Sequence, residues 1–528
     1  MPRWLLPGVS AMLLLGSVAL LAFAALWFSA PTANLWGLLQ DSYLRHVLFF
    51  SFSQALLSAL LSVIPAIFIA RALWRRRFPG REWLLRLCAM TLVLPVLVAV
   101  FGLLTVYGRV GWLAQLCQHV GLAWNFSPYG LQGILLAHVF FNLPLATRLM
   151  LQALERIPAE QRQLAAQLNL RGWYGFRLLE WPWLRRQLLP AGALIFMLCF
   201  ASFATVLALG GGPRATTIEL AIYQALSYDY DPARAALLAL LQLLCCLSLL
   251  AVSQRLSKSL PSGHTQLLQW RDPHDSRFAQ VTDGLLIGFT LLLLLPPLLA
   301  VVVNGLQGGV AHGLAQPALW QATFTSLRIA LGAGILCIVL TMMLLWSSRE
   351  LRQRQRLLAA QSMEASGMLI LAMPGIVLAT GFFLLLNNSI GLPESPDGLV
   401  IFTNALIAIP YAMKVLEIPM RDLGERYAPL CASLGLSGLN RLRVIELRAL
   451  KRPLALALAF ACVLSLGDFG VIALFGSENF RTLPFYLYQQ IGAYRGSDAA
   501  VTALLLLLIC LLLFTVMEKL SGRHADTQ

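Results

Sequence analysis

The chain has 528 residues, 59% of them hydrophobic and 12% charged, with a formal net charge of +15 and a mean hydropathy of +0.74. That leaves too few charged residues to coat a soluble body of this size, so a soluble globular fold is excluded. Runs such as Leu285 to Val303 do not alternate apolar with polar, which excludes a barrel of short strands.

Apolar runs near or above the ~18 residues needed to cross a bilayer as a helix recur along the chain. Twelve spans are predicted, at about 9–29, 47–70, 88–107, 131–150, 189–209, 235–254, 285–303, 324–346, 366–386, 399–417, 454–475 and 500–517. The first run is longer than the ~7–15-residue core of a signal peptide and lacks a small-x-small exit, so it reads as an uncleaved span. Of the 39 Lys and Arg residues, 32 fall at the N-terminus, 71–86, 148–186, 255–277, 349–356, 414–452 and the C-terminal tail. These are alternate inter-span segments. By the positive-inside rule they face the cytoplasm, and so do both termini. The basic balance therefore records topology, and nucleic acid is not an expected partner. Eight of the nine cysteines lie in predicted spans or on the cytoplasmic side, leaving Cys117 alone outside, so no outward disulfide is expected. The seven histidines show no ligand spacing, and neither a metal site nor a bound cofactor is expected.

Twelve spans divide into six and six, and the sequence repeats accordingly. Setting Gln163–Leu188 over Pro429–Leu454, a shift of 266 residues, gives ten identities without a gap, among them Leu164/Leu430, Leu168/Leu434, Gly172/Gly438 and Glu180/Glu446. The same shift pairs Pro144 with Pro410 and Phe203 with Phe469, while LVLPVLVAVFG at 92–102 echoes LAMPGIVLATG at 371–381. Six is even, so both halves enter from the same side and are related by an axis along the membrane normal. The expected organisation is a first repeat over 1–254, a polar linker over 255–282 and a second repeat over 283–528.

The best-matched segment is a cytoplasmic loop, where composition alone does not produce identities. Leu164 and Leu168, like Leu430 and Leu434, are spaced i, i+4 and share a face of a short helix. Gln163 precedes the first pair, and Ala165, Ala166, Ala432 and Ser433 let another surface approach closely. Gly435 suits a turn with positive φ, and Asn169 holds the same place in the first copy. Gly172 and Gly438 offer a further break. A substitution such as Gly435→Asp is expected to put a Cβ and a charge into a close-packed turn. Two loops of one shape imply two copies of one partner.

Small residues, then Leu168-Asn169 or Leu434-Gly435, then about ten residues to Leu179-Glu180-Trp181-Pro182, resemble the EAA loop of ABC importer permeases. In that family the loop is a coupling helix that enters a groove on a cytoplasmic ATPase. The second copy departs by carrying Arg448 where the family has proline, and the leading glutamate is Gln163 in one copy and Pro429 in the other. Nearly end to end, the chain resembles the fused two-repeat permeases of the ferric iron, thiamine and phosphonate group. Segments such as RLCAMTLVLPVLVAVFG and LGDFGVIALFG are most similar to its thiamine branch. The resemblance implies an all-α polytopic membrane protein with the type I importer permease fold. It also implies one copy of this chain in the bacterial inner membrane with two ATPase subunits and a periplasmic binding protein. The implied cargo is thiamine and its phosphates, with ferric iron or a phosphonate as alternatives.

An energy source within the chain is not expected. A phosphate-binding loop needs glycine directly before lysine, and Lys258, Lys414, Lys451 and Lys519 follow Ser, Met, Leu and Glu. ATP and Mg would be bound by the partner ATPase. Among polar residues in spans, Asp468 stands out, because an ionised carboxylate there costs roughly 2.5–3.5 kcal/mol on insertion scales. It is a candidate counter-ion for a cationic substrate or a helix–helix hydrogen-bonding group. Its repeat equivalent is Ser202, and Asn142 and Asn404 are further candidates for a translocation path. Two rival readings are a twelve-span carrier driven by an ion gradient, suggested by RRRFPGR at 75–81, and a membrane-bound transferase. The first lacks the acidic residue of that loop signature. The second lacks paired acidic clusters.

Overall fold

The computed structural model describes residues 4–30, 40–170, 172–256, 276–368, 370, 373–389, 396–436, 438–477 and 480–522. Most of the predicted linker, 257–275, lies outside the described residues, as do the side chains of Ala432 and Pro429. Every regular element among the described residues is helical. Among the described residues, ten helices are long and apolar enough to cross a membrane, or eleven if the bent pair Leu442–Ala449 and Lys451–Gly467 forms one span; Gly375–Asn387 is a shorter apolar helix. Together these segments overlap all twelve predicted spans.

The ends differ from the prediction for local reasons. The predicted span 88–107 is divided, with Arg81–Met90 ending before Pro95 and Val96–Tyr107 beginning after it. Pro374 likewise precedes the helix Gly375–Ser389. Proline has no N–H to give and suits the start of a helix, where none is needed. Its carbonyl accepts the first bonds in both copies, from Val98 at 3.1 Å and Val377 at 3.0 Å.

The chain forms two compact units. One comprises 36–220 and 245–304. Its axis is the helix Ser42–Arg75, which packs against Leu131–Glu155 and Trp181–Phe200. Ser51, Ala55, Ser58, Ala59, Ser62 and Ala66 on the buried face of Ser42–Arg75 let these backbones approach. In lipid, that closeness and interhelical hydrogen bonds drive association, since the tails are as apolar as the side chains. Gln54 Nε2 donates to the Cys199 carbonyl at 2.9 Å, and Ser58 Oγ lies 2.8 Å from His138 Nδ1. Gly102 is required where Val96–Tyr107 meets Arg277–Gln307, because a Cβ there would sit 2.4 Å from the Pro297 carbonyl oxygen.

The other unit comprises 1–35, 221–244 and 305–528. Pro317–Gln353 packs against Asp397–Ser433 and Lys451–Gly467, and Leu6–Ser29 lies along Pro317–Gln353 and Gly375–Ser389. Ala11, Leu15, Val18 and Ala22 of the first helix enter a core with Cys337, Leu344, Ala405 and Ile409. Gly8 N donates to Ser347 Oγ at 2.9 Å. Packing and repetition thus divide the chain differently: the first helix of each repeat belongs to the unit built mainly from the other repeat.

Candidate functional site

The two predicted coupling loops have the same backbone geometry. Asn169 and Gly435 adopt φ of 52° and 64°, and Gly172 and Gly438 adopt 54° and 57°. Leu170 N bonds the Ala165 carbonyl at 2.9 Å, and Leu436 N bonds the Cys431 carbonyl at 2.9 Å. A six-to-one bond closing over a left-handed residue is the Schellman ending of a helix. In the first copy Ala165 is buried while Gln163, Leu164, Ala166, Leu168, Asn169 and Gly172 are exposed; in the second, Leu430, Ser433, Leu434, Gly435 and Gly438 are exposed. Each loop therefore presents its leucine pair outward from a fixed turn. An ideal Cβ on Gly435 meets nothing within 4 Å. The turn is not close-packed within this chain, contrary to expectation, and positive φ is what selects glycine there.

The helices leading into the loops differ. In the first copy, Leu131–Glu155 ends and a separate short helix, Ala159–Gln167, follows Pro158. In the second, one helix of 37 residues, Asp397–Ser433, runs through. The predicted short helix is thus found in the first copy and corrected in the second. At the shift of 266, Pro158 corresponds to Gly424. Proline removes a helical donor and clashes with the preceding turn, whereas glycine keeps its N–H. Gly424 also admits a neighbour, since a Cβ there would lie 2.5 Å from Arg349 Cδ.

Past the turn, each copy enters a five-residue π-helical segment, Phe176–Glu180 and Leu442–Glu446. Each ends on a buried glutamate held by an arginine from the long helix of its unit. Arg71 Nε pairs with Glu180, its Cζ lies 5.0 Å from the Phe176 ring centroid, and its Nη2 donates to the Gly172 carbonyl at 3.4 Å. Glu446, 0% exposed, is 2.8 Å from Arg349 Nη2 and 2.9 Å from Arg441 Nε. Arg71, Glu180, Arg349, Arg441 and Glu446 were not selected from the sequence as site residues. The identity Glu180/Glu446 inside a basic segment was the available signal. A cleft of about 660 Å³ adjoins the first loop, lined by Leu164, Ala165, Leu168, Leu178, Trp183 and Arg186, among others.

The candidate path residues sit at or beside helix breaks. The predicted continuous spans 189–209 and 454–475 are each interrupted. Trp181–Phe200 stops before Phe203–Leu209, and Lys451–Gly467 stops before Gly470–Phe475. Ser202 and Asp468 occupy the matched breaks. Ser202 Oγ donates to the Cys199 carbonyl at 2.7 Å, and the Asp468 carboxylate accepts from the backbone of Gly470 and Val471. Short polar side chains that satisfy freed backbone groups stabilise such breaks. Asp468 Oδ2 is buried and has no hydrogen-bond partner among the described residues. Asn142 and Asn404 are buried and make interhelical bonds, to Cys199 Sγ at 3.2 Å and Ser465 Oγ at 3.0 Å. Among the described residues no group of three or more His, Cys, Asp or Glu is placed to hold a metal ion.

Residues 62–260 match the family described as the binding-protein-dependent transport system inner membrane component. The chain is 73% identical over 526 residues to the thiamine transport system permease protein ThiP of Escherichia coli (strain K12), covering 100% of this chain and 98% of that protein. Identity to the protein of the same name from Haemophilus influenzae is 43% over 524 residues, covering 97% and 96%. For Brucella abortus (strain 2308) it is 42% over 488 residues, covering 92% and 89%. A multi-pass helical chain with these matches is an inner-membrane permease of a binding-protein-dependent transport system. It belongs to the family of thiamine transport system permease proteins.

Proposed function

We propose that the chain is the translocation subunit of an ATP-driven importer that carries thiamine and its phosphates into the cytoplasm. The observation that supports this most strongly is the pair of matched loops, each with an exposed leucine pair held by the same left-handed turn. One copy of a cytoplasmic ATPase docks on each loop, ATP and Mg are bound by those subunits, and a periplasmic binding protein delivers the cargo. One copy of this chain serves both. The charge distribution supports cytoplasmic termini. Closure of the ATPase pair moves both loops as rigid bodies and opens the bundle outward. Because coupling in binding is reciprocal, the loaded binding protein favours the ATP-bound form. The breaks at Ser202 and Asp468 supply polar groups within the membrane, where a cationic cargo needs them.

The test is co-purification of the ATPase with the chain. Leu164→Asp and Leu430→Asp, each in an exposed helix face, should lower ATPase recovery stepwise, while the permease still inserts. Full recovery with both substitutions together would refute docking through these loops.

A further inference from the structure

We infer that a pocket of about 400 Å³ beside the second coupling loop is a binding site for a phosphate-bearing anion. It lies within one unit and is lined by Ser348, Arg349, Arg352 and Gln353, by Gln355, by Glu364 and Glu417, and by Arg421.

Three observations converge on it. Arg349 is 5% exposed, and among the described residues its Nε and Nη1 have no hydrogen-bond partner, although Nη2 is held by Glu446. A buried guanidinium with N–H groups to spare calls for an acceptor, because unpaired donors away from water carry the full desolvation penalty. Arg421, also in the lining, is paired among the described residues with Glu417 alone, one helical turn away, and both are well exposed. Such i, i+4 pairs are weak, so this arginine is readily redirected to a better acceptor. Finally, Gln355 has φ 61°. It ends the helix Pro317–Gln353 with a six-to-one bond from Arg356 N to the Leu351 carbonyl at 2.9 Å. Glycine or asparagine ordinarily fills that left-handed place. Here a strained glutamine places an amide in the lining instead, and strain of this kind gathers at ligand sites.

A tetrahedral oxyanion offers enough acceptors for both the buried Arg349 and the exposed Arg421 of the lining. The volume exceeds that of a bare ion, and the exposed Glu417 suits a hydroxyl or cationic part, while Glu364 is already held by Arg352 and Ser348, so the chemical class is a phosphate ester. The matching end of the other unit is built differently, for there Arg75 and Arg76 both pair with Asp283 at 2.7 Å. Arg349 also holds Glu446 of the second loop, which connects occupancy of the pocket to one loop and not to the other. That the pocket faces the cytoplasm rests on the orientation proposed above; binding measured in detergent does not depend on it.

The experiment is calorimetric titration of the purified full-length chain with inorganic pyrophosphate, in detergent and in phosphatidylcholine nanodiscs. Saturable binding is expected, weakened about tenfold in both Arg421→Gln and Gln355→Gly, the loss of one hydrogen bond to a charged group. Neither variant removes a buried ion pair, so folding is retained. No saturable binding, or binding unchanged in both variants, would overturn the site. Repeating the titration in phosphatidylglycerol nanodiscs separates the sources. Loss of pyrophosphate binding there supports the site with a lipid headgroup as its occupant, and unchanged binding supports it with a soluble phosphate ester.

Discussion

Asn169 and Gly435 stand 266 residues apart and share one backbone conformation, with φ of 52° and 64°. Gly435 has open space where a Cβ would go, so the cost of replacing it is conformational. Left-handed backbone costs most residues roughly 1–2 kcal/mol and asparagine less. Gly435→Val should therefore destabilise the second turn by about that amount, seen as faster hydrogen exchange at Leu434–Leu436. Gly435→Asn should cost little. Equal exchange in Gly435→Val and the parent would contradict this reading.

The buried pair Glu446–Arg349 makes a sharper prediction. Breaking a buried pair from one side costs about 3–5 kcal/mol, because the other charge is left stranded. Glu446→Leu should lower the unfolding temperature strongly in detergent. Adding Arg349→Leu to it should restore part of the loss, since the guanidinium of Arg349 is no longer stranded and Arg441 keeps Glu350 at 3.4 Å. A double variant no more stable than the single one would show that the two residues do not act together.

Gly424 is where the second-copy helix passes Arg349. Gly424→Ala places a methyl group 2.5 Å from Arg349 Cδ, and overpacking of this kind costs about 1–3 kcal/mol. Pro158→Ala at the matched place in the first copy restores a helical donor. It should raise the helical content of 156–158, measured by hydrogen exchange, and the Gly424→Ala variant should melt earlier than the parent.

Glu364 sets an acid limit. Burial would raise its pKa, but hydrogen bonds from Arg352 and Ser348 outweigh burial and hold the carboxyl below its usual range. A carboxylate with a depressed folded-state pKa adds stability above its unfolded value. That contribution is lost as pH falls through the folded value, below about 4.3. Thermal unfolding of Glu364→Gln should accordingly lie below that of the parent at neutral pH and converge with it in acid. A constant gap across the acid range would assign Glu364 a role unrelated to its charge.

Much of this architecture was legible from the sequence because the signals are local. Span-length apolar runs act within one helix, whereas the prolines at 95 and 374 were read as a match between repeats and not as helix starts. The left-handed turns were legible for the same reason, through Asn169 and Gly435. The helix breaks at Ser202 and Asp468 were hidden, since one short polar residue in an apolar run leaves its mean hydropathy unchanged. The exchange of first helices between units depends on contacts such as Gly8 with Ser347, 339 residues apart, which no local pattern encodes. Glu180 and Glu446 stood out only as an identity between the loops, because the arginines that hold them are far off in the chain.

On the function proposed above, cargo crosses this chain at the expense of ATP through two docked loops. The direct measurement is uptake of labelled thiamine into proteoliposomes holding this chain and its ATPase, with binding protein outside and ATP within. Predicted is accumulation that needs ATP, survives collapse of ion gradients, and is lost when Leu164→Asp and Leu430→Asp are combined. Accumulation without ATP, driven by an imposed ion gradient, would contradict it.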